Sequence, residues 1–329
     1  MPDPGAHLHP REGSRDSDAG PLLRPVPADA TLIYIHIGKT AGMTLHQVLE
    51  RQFPKDRIFS FHEIPRERVV AAASADTPAE HAPPTLVGDR PVREHTLAYF
   101  AGLPEEARRR FRLVEGHTIY GIHEFVPRPS VYATFLREPV ARVVSGYGYI
   151  QRRTHHPLFE VSRRLDLLEL VESGLALQFD NGQTRALAGD LGTPFGGCTS
   201  DMLERAKRNV ERDFAAVGIT ERFDESLLLL RAAFGWSRLF YVRTNTSPRR
   251  PDDLPTATRR TIERYNELDR DLYSWALRRF EEAVAEDPSF GESLRRFRAG
   301  NERYRPVGRL RYTLPRRVRD LVRQGRLGR

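Results

Sequence analysis

Two groups of residues in this sequence have the types and spacing needed to bind phosphate. The segment HIGKTAGMTLH, residues 36–46, places a glycine, a lysine and a threonine directly after an apolar run. Backbone N–H groups that converge at the start of a helix, together with a lysine charge, form a site for an anion. The second group has Arg137 at the end of another apolar run, then Pro139, and Ser145 eight residues after the arginine. Such an arginine can hold a phosphate through two hydrogen bonds.

The elements that would position these groups alternate between strands and helices. Apolar runs rich in strand-forming residues predict strands at 31–37, 112–117, 131–136, 215–219 and 238–242. Helical spacing predicts helices at 43–53, 94–110, from Pro139 onward, and at about 164–175, 181–188, 200–213, 225–234 (capped by Asp224) and 256–286. This alternation predicts an α/β fold, a P-loop-like three-layer arrangement with a central, mostly parallel sheet flanked by helices.

Length and charge suggest one main domain with two extensions. We expect a disordered lead at residues 1–29, the folded domain at 30–290 and an arginine-rich basic tail at 291–329. Residues 303–329 contain ten arginines and one acid, a net charge of +9, whereas the whole chain carries +8. The preceding residues are therefore nearly neutral, which argues against nucleic acid as a partner.

The cysteine content and the hydropathy of the chain indicate the cellular compartment in which the protein is expected. The single cysteine, Cys198, cannot form an intrachain disulfide, which fits a reducing compartment. No apolar run approaches the ~18–20 residues that span a bilayer, and the first residues lack the apolar segment of a secretory leader. We therefore expect a cytoplasmic protein, and the alternatives for its basic tail are a solvated segment or peripheral contact with a membrane or a polyanion.

The lysine turn alone leaves its ligand open. The nucleoside-triphosphate pattern G-x-x-x-x-G-K-[ST] would need a glycine at position 33, where the chain has Ile33. A glycine that only shapes a strand–helix turn, a phosphotransferase that uses ATP, and a different phosphate donor all stay open on this motif. The chain also uses arginine almost throughout, with 52 basic residues of which only Lys39, Lys55 and Lys207 are lysines, and this favours a specific role for Lys39.

Four motifs in order resemble the PAPS-dependent sulfotransferases (PAPS is 3′-phosphoadenosine 5′-phosphosulfate). The likeness covers roughly residues 31–285 and is to the carbohydrate branch, which includes heparan sulfate 2-O-sulfotransferase and bacterial sulfotransferase family 2 proteins. Its motifs are the lysine turn, the Gly-His-x-x-Tyr turn at 116–120, the Arg-Glu-Pro-x-x-Arg-x-x-Ser element at 137–145, and residues 214–226. The family places two histidines around the glycine, but this chain has Glu115 in place of the first, and the role of Glu115 stays open.

The resemblance implies a donor and a mechanism. PAPS would give its sulfuryl group to a hydroxyl of a carbohydrate or glycolipid, and the product would be adenosine 3′,5′-bisphosphate (PAP), with no metal needed. His117 would be the general base, since histidine titrates near neutral pH, and Lys39 would stabilise charge on the leaving phosphate. The implied donor-binding residues are Gly38, Lys39, Thr40, Ala41, Gly42, Met43, Thr44, Arg137 and Ser145.

The acceptor, the reaction class and the roles of several residues each have more than one interpretation. Tyrosyl protein or lipid acceptors, a kinase-like reaction and a non-catalytic polyanion binder remain alternatives, and the oligomeric state cannot be read from the sequence. His36 is expected to be a packed core residue, while His46 could be structural or functional. The pair His123-Glu124 and residues 180–185 either face the acceptor or cap local structure, and residues 244–250 are expected near the nucleotide.

Overall fold

A five-stranded parallel sheet forms the centre of the protein. The computed structural model describes residues 26–61, 93–154, 156–243 and 253–313. Its strands are β1 (Thr31–Ile35), β2 (Ile58–Ser60), β3 (Leu113–Gly116), β4 (Ser130–Leu136) and β5 (Phe214–Ile219), in the order β2-β3-β1-β4-β5. Each neighbouring pair is parallel. The central strand β1 is buried along its whole length, as expected for a parallel sheet covered by helices.

Helices flank this sheet, and the predicted α/β fold is confirmed. In chain order they are α1 (Gly42–Leu49), α2 (Arg93–Ala101), α3 (Glu105–Arg109), α4 (Pro139–Ile150), α5 (Phe159–Ser162), α6 (Leu167–Glu172), α7 (Gly182–Ala188), α8 (Ser200–Asp213), α9 (Phe223–Phe234), α10 (Thr256–Arg264), α11 (Glu267–Ala285) and α12 (Phe290–Thr313). The sheet and the helices α1, α8, α9 and α11 share the main apolar core. A second apolar cluster lies between α4, α6 and α10.

The predicted strand at 238–242 is wrong. This segment joins no strand ladder, and side chains from distant helices bond to its backbone polar groups instead. Tyr241 donates its backbone N–H to Asn301 (2.8 Å), and Gln47 donates to the Val242 carbonyl oxygen (3.2 Å). The fifth strand is instead β2, whose three residues are too few to show an alternating pattern.

Several helix boundaries also differ from the prediction. The helix predicted over 43–53 ends at Leu49, and the one predicted over 94–110 is divided into α2 and α3. The helix predicted over 256–286 is divided into α10 and α11 near Asn266, whose side chain donates to the carbonyl oxygens of Phe179 (2.7 Å) and Ile262 (2.9 Å). Asp224 does not cap α9, because the helix begins at Phe223 and Arg222 is in the capping position. Asp224 accepts a hydrogen bond from Tyr241 (2.7 Å) instead.

The predicted domain limits stay predictions. Most of the expected lead, residues 1–25, lies outside the described residues, as does the end of the tail, 314–329. Helix α12 crosses the predicted boundary at residue 290, and its Phe297 is buried in the main core. The first part of the predicted tail is therefore helical and packed.

Candidate active site

The segments predicted to carry chemistry meet at one edge of the sheet. Strand β1 lies between β3 and β4, with Ile35 paired to Gly116 on one side and to Thr134 on the other. The carboxyl ends of these three parallel strands are therefore side by side. Chain order reverses across β1, since β3 precedes β4 in sequence and lies on its opposite side. Such a reversal opens the crevice in which α/β proteins bind ligands.

The turn after β1 has the backbone of an anion cradle. Lys39 (φ 73°) and Ala41 (φ 61°) adopt the left-handed conformation, which is strained for residues with a side chain. Alternating left- and right-handed residues turn successive N–H groups toward one point. Ala41 is also the residue before α1, and its side chain cannot cap the helix, so the helix N-terminus is open to an anion. The fully buried Thr40 hydroxyl fixes the turn from within by donating to the Ile37 carbonyl oxygen (2.8 Å).

Lys39 is surrounded by three arginines, Arg137, Arg152 and Arg153. Burial, followed by the charges of Arg152, Arg137 and Arg153, lowers the Lys39 pKa to about 8. Its ammonium group lies 4.3 Å from the centre of the Tyr149 ring, and the Arg153 guanidinium contacts the same ring at 5.4 Å. All three charges that shift this pKa are cationic. The site therefore disfavours its own positive charge until an anion joins it.

Arg137 directly connects the two motifs that are predicted to bind phosphate. Its Nη1 donates to the Lys39 carbonyl oxygen at 3.0 Å. Its backbone N–H donates to the Gln183 Oε1 (2.9 Å), and Gln183 Nε2 donates back to the Arg137 carbonyl oxygen (2.9 Å). Burial lowers the Arg137 pKa, although Glu221, 3.8 Å from its Nε, opposes this shift. Ser145 is buried in α4, the helix that begins two residues after Arg137.

The buried ion pair between Asp269 and Arg142 helps to hold the backbone of Arg137 in place through Gln183. Asp269 accepts hydrogen bonds from the backbone of Gln183 (3.1 Å) and of Thr184 (2.7 Å), and its Oδ2 lies 3.3 Å from Arg142 Nη2. Asp269 thus fixes the Gln183 backbone, and Gln183 in turn fixes that of Arg137. The sequence singled out Gln183 only as part of the segment 180–185 and did not indicate its contact with Arg137. It missed Asp269, because the 86-residue separation between the two gives no local signal.

His117 is held in a defined orientation after β3. Its Nδ1 lies 2.8 Å from the His36 carbonyl oxygen, and its ring stacks on the His36 ring with 4.3 Å between centroids and a 21° angle. A carbonyl oxygen only accepts hydrogen bonds, so Nδ1 carries the proton and the neutral ring has its lone pair on Nε2. The turn needs Gly116, because φ is +136° and a Cβ there would lie 2.8 Å from the Phe61 Cβ.

Glu115 forms a buried charge pair with His46. The carboxylate is 1% exposed, accepts a hydrogen bond from Ser60, and lies 3.4 Å from His46 Nδ1. Burial opposes protonation of His46, but hydrogen bonds and charges from Glu115 and Glu50 outweigh it and raise the His46 pKa to about 10. The residue that departs from the family motif therefore anchors helix α1 to strand β3.

The remaining candidates have structural partners. His36 is buried, as predicted, and it also contacts His117. His123 Nδ1 lies 2.8 Å from the Tyr132 hydroxyl oxygen. Asp180 and Arg185 form an ion pair in which each side chain is 1% exposed, so neither faces an acceptor. The predicted nucleotide contact at 244–250 lies outside the described residues.

The described residues contain neither a metal-binding cluster nor a helix that could span a membrane. In residues 26–61, 93–154, 156–243 and 253–313, no group of three His, Cys, Asp or Glu side chains is arranged to hold a metal ion. Over the same part of the chain, no helix has the length and apolar character to cross a bilayer.

The fold and site define a parallel α/β protein of the P-loop-like type, in which the lysine turn after β1 lies near an oriented histidine. The profile of the galactose-3-O-sulfotransferase family matches residues 11–307, so the chain belongs to that family. The resemblance to carbohydrate sulfotransferases is thereby confirmed.

Three relatives define the range of similarity. Galactose-3-O-sulfotransferase 3 is 27% identical in the human form over 76% of this chain, and 28% identical in the mouse form over 77% of it. Galactose-3-O-sulfotransferase 2 of the pig is 28% identical over 55% of the chain. The aligned region is 56% of the human protein, 57% of the mouse protein and 48% of the pig protein. The chain thus spans about half the length of these relatives.

Proposed function

We propose that this protein transfers the sulfuryl group of PAPS to a hydroxyl of a galactose-containing carbohydrate. The observation that carries the proposal is the Arg137–Lys39 contact, which brings both phosphate motifs to the edge that also carries His117. Family membership supports the sulfotransfer reaction, and the names of the relatives favour the galactose 3-hydroxyl as the acceptor.

The residues present fit a donor with two separate phosphate groups. The cradle at residues 38–44 offers backbone N–H groups and the Lys39 charge, which suit the 5′-phosphosulfate. Arg137 and Ser145 suit the 3′-phosphate, the group that distinguishes PAPS from ATP. The Lys39 pKa is lowered first by burial and then by the charges of Arg152, Arg137 and Arg153, and this cluster of positive charge suits an anion.

In the proposed reaction His117 Nε2 accepts the proton of the acceptor hydroxyl. The hydroxyl oxygen forms the new bond to sulfur while the bond from sulfur to the bridging phosphate oxygen breaks, and PAP leaves. A correctly placed base contributes roughly 10²–10⁴-fold to such a step. Lys39 and the N–H groups of the turn stabilise the negative charge that grows on the leaving oxygen. The bond from Nδ1 to the His36 carbonyl oxygen keeps the basic nitrogen on the other side of the ring.

Calorimetric titration tests the donor assignment. We expect PAP to bind the wild-type protein more tightly than ATP with Mg²⁺, and Arg137→Ala to weaken PAP binding by ~10–100-fold. Arg270→Ala is the matched control, because its exposed side chain pairs only locally with Asp271. Equal binding of PAP by Arg137→Ala, or tighter binding of ATP, would refute the proposal.

Transfer of labelled sulfate tests the acceptor and the base. Wild-type protein should label a β-galactoside but not its 3-deoxy analogue, while His117→Ala should bind PAP normally and transfer nothing. A variant at His117 that keeps full transfer would rule out the base assignment. Labelling of the 3-deoxy sugar would move the acceptor to another hydroxyl. A cytoplasmic location and contact of the tail with a membrane or polyanion remain predictions from the sequence.

A further inference from the structure

The imidazole ring of His36 fills the space between the anion cradle and His117. A Cβ added to Gly42 would lie 1.7 Å from His36 Nε2 and 2.1 Å from its Cδ2, so the ring rests directly on the backbone where α1 begins. On another side the ring stacks on that of His117, with centroids 4.3 Å apart. His36 is 7% exposed, which leaves little space for it to move independently.

His36 contacts the predicted base in two ways. Its carbonyl oxygen holds His117 Nδ1 at 2.8 Å, and its ring supports the His117 ring face to face at 21°. The His36 ring is also stacked with the buried Tyr34 ring, with 6.1 Å between the centroids. Close-packed interiors transmit displacements because they contain few voids. A shift of the cradle at Gly42 must therefore move the His36 ring, and the His36 ring cannot move without disturbing His117.

We propose that His36 is a positioning residue that couples the anion cradle to the orientation of His117. This inference rests on the proposed function: an anion in the cradle fixes the start of α1, the His36 ring follows, and His117 is set toward the acceptor hydroxyl. The glycine at position 42 is required by this contact, because any side chain there would occupy the position of the ring.

A double-mutant cycle separates this role from simple packing. In Gly42→Ala the new methyl group overlaps the His36 ring, so we expect PAP binding and kcat each to fall by more than ~10-fold. In His36→Ala the overlap partner is gone, so we expect PAP affinity within ~3-fold of wild type and kcat reduced by ~10–100-fold, without a change in acceptor KM. Combining both substitutions should restore PAP affinity to within ~3-fold of His36→Ala without restoring kcat.

A matched control measures the effect of lost packing alone. Val48→Ala creates a cavity in the same helix, where the side chain is fully buried. It should lower the melting temperature and leave kcat per folded molecule unchanged. If His36→Ala behaves like Val48→Ala, with kcat within ~2-fold of wild type, His36 only fills space and the proposal is overturned. Additive losses in the double variant would also overturn it.

A spectroscopic readout keeps this test separate from the proposed function. The ring-proton NMR signal of His117, assigned with His117→Ala, should shift when PAP is added to the wild-type protein and shift much less in His36→Ala. If PAP does not bind, the proposed function fails, and the same titration is made with inorganic sulfate as the anion. A wild-type His117 signal that responds to neither anion, or responds equally without His36, would refute the coupling whether or not sulfate transfer occurs.

Discussion

The Lys39 pKa makes a quantitative prediction about donor binding. In the free protein this pKa is lowered to about 8, first by burial and then by three arginines. A bound phosphate or phosphosulfate group favours the charged ammonium, so the bound-state pKa should return to the ordinary value of 10.5 or above. Between these two values, binding of PAP must take up a proton. The uptake should be ~0.9 proton at about pH 9 and only ~0.1 proton at about pH 7.

Affinity must follow the same linkage. The Lys39 contribution to PAP affinity should be nearly independent of pH below about 8 and then fall ~10-fold per pH unit until the bound-state pKa is reached. Calorimetry in two buffers of different ionisation enthalpy gives the proton uptake directly. Lys39→Met is the control, because it removes the titrating group while keeping an unbranched side chain.

The Lys39→Met variant shows whether Lys39 is the group that takes up the proton. Lys39→Met should bind PAP more weakly than wild type near neutral pH, take up no Lys39-linked proton in the alkaline range, and approach wild type only above the bound-state pKa, at about pH 11 or higher. An uptake below ~0.3 proton at about pH 9, or the same uptake in Lys39→Met, would show that Lys39 does not meet the anion.

Three further predictions concern the residues around the site. Glu115→Gln should lower the His46 pKa from about 10, and histidine NMR titration measures this pKa. The stabilisation from the pair is complete below the ordinary histidine pKa of 6.5 and is lost as pH rises through about 10, and the substitution should reduce it. Gly116→Ala should destabilise the protein by ~2–4 kcal/mol through positive φ and a 2.8 Å clash, whereas Gly121→Ala, at φ +114° with no neighbour within 4 Å, should cost less by urea unfolding. Asp269→Asn should lower the unfolding free energy by ~3–5 kcal/mol, because it leaves a buried arginine without its counter-charge.

The sequence predicted which residues meet at the candidate site better than it predicted the strands and their boundaries. Lys39, His117 and Arg137 each follow an apolar run closely, and residues that end neighbouring parallel strands must meet at one sheet edge. Their convergence was therefore implied once the runs were interpreted as strands. The same reasoning failed at 238–242, where an equally apolar run is satisfied by Gln47 and Asn301 from distant helices.

Residues that act through others left no local signal. Gln183 is an interior residue of α7, and its contact with Arg137 depends on how that helix packs against the end of β4. His36 has the burial that its apolar neighbours predict, yet its contact with His117 arises from pairing between β1 and β3. Periodicity identifies which side chains are buried, but it does not specify which of them lie against each other.

The choice of lysine at position 39 follows from the charges around it. This chain has only three lysines among 52 basic residues, and one of them lies in the cradle. An arginine there would add a permanent charge close to Arg137, Arg152 and Arg153, because a guanidinium does not lose its proton in proteins. An ammonium with a pKa of about 8 is still mostly charged near neutral pH, but above about pH 8 it can release its proton when no anion is present and regain it when one binds. Lysine therefore supplies nearly full charge near neutral pH where the leaving phosphate would lie, and unlike arginine it can relieve the charge repulsion in the free protein at alkaline pH.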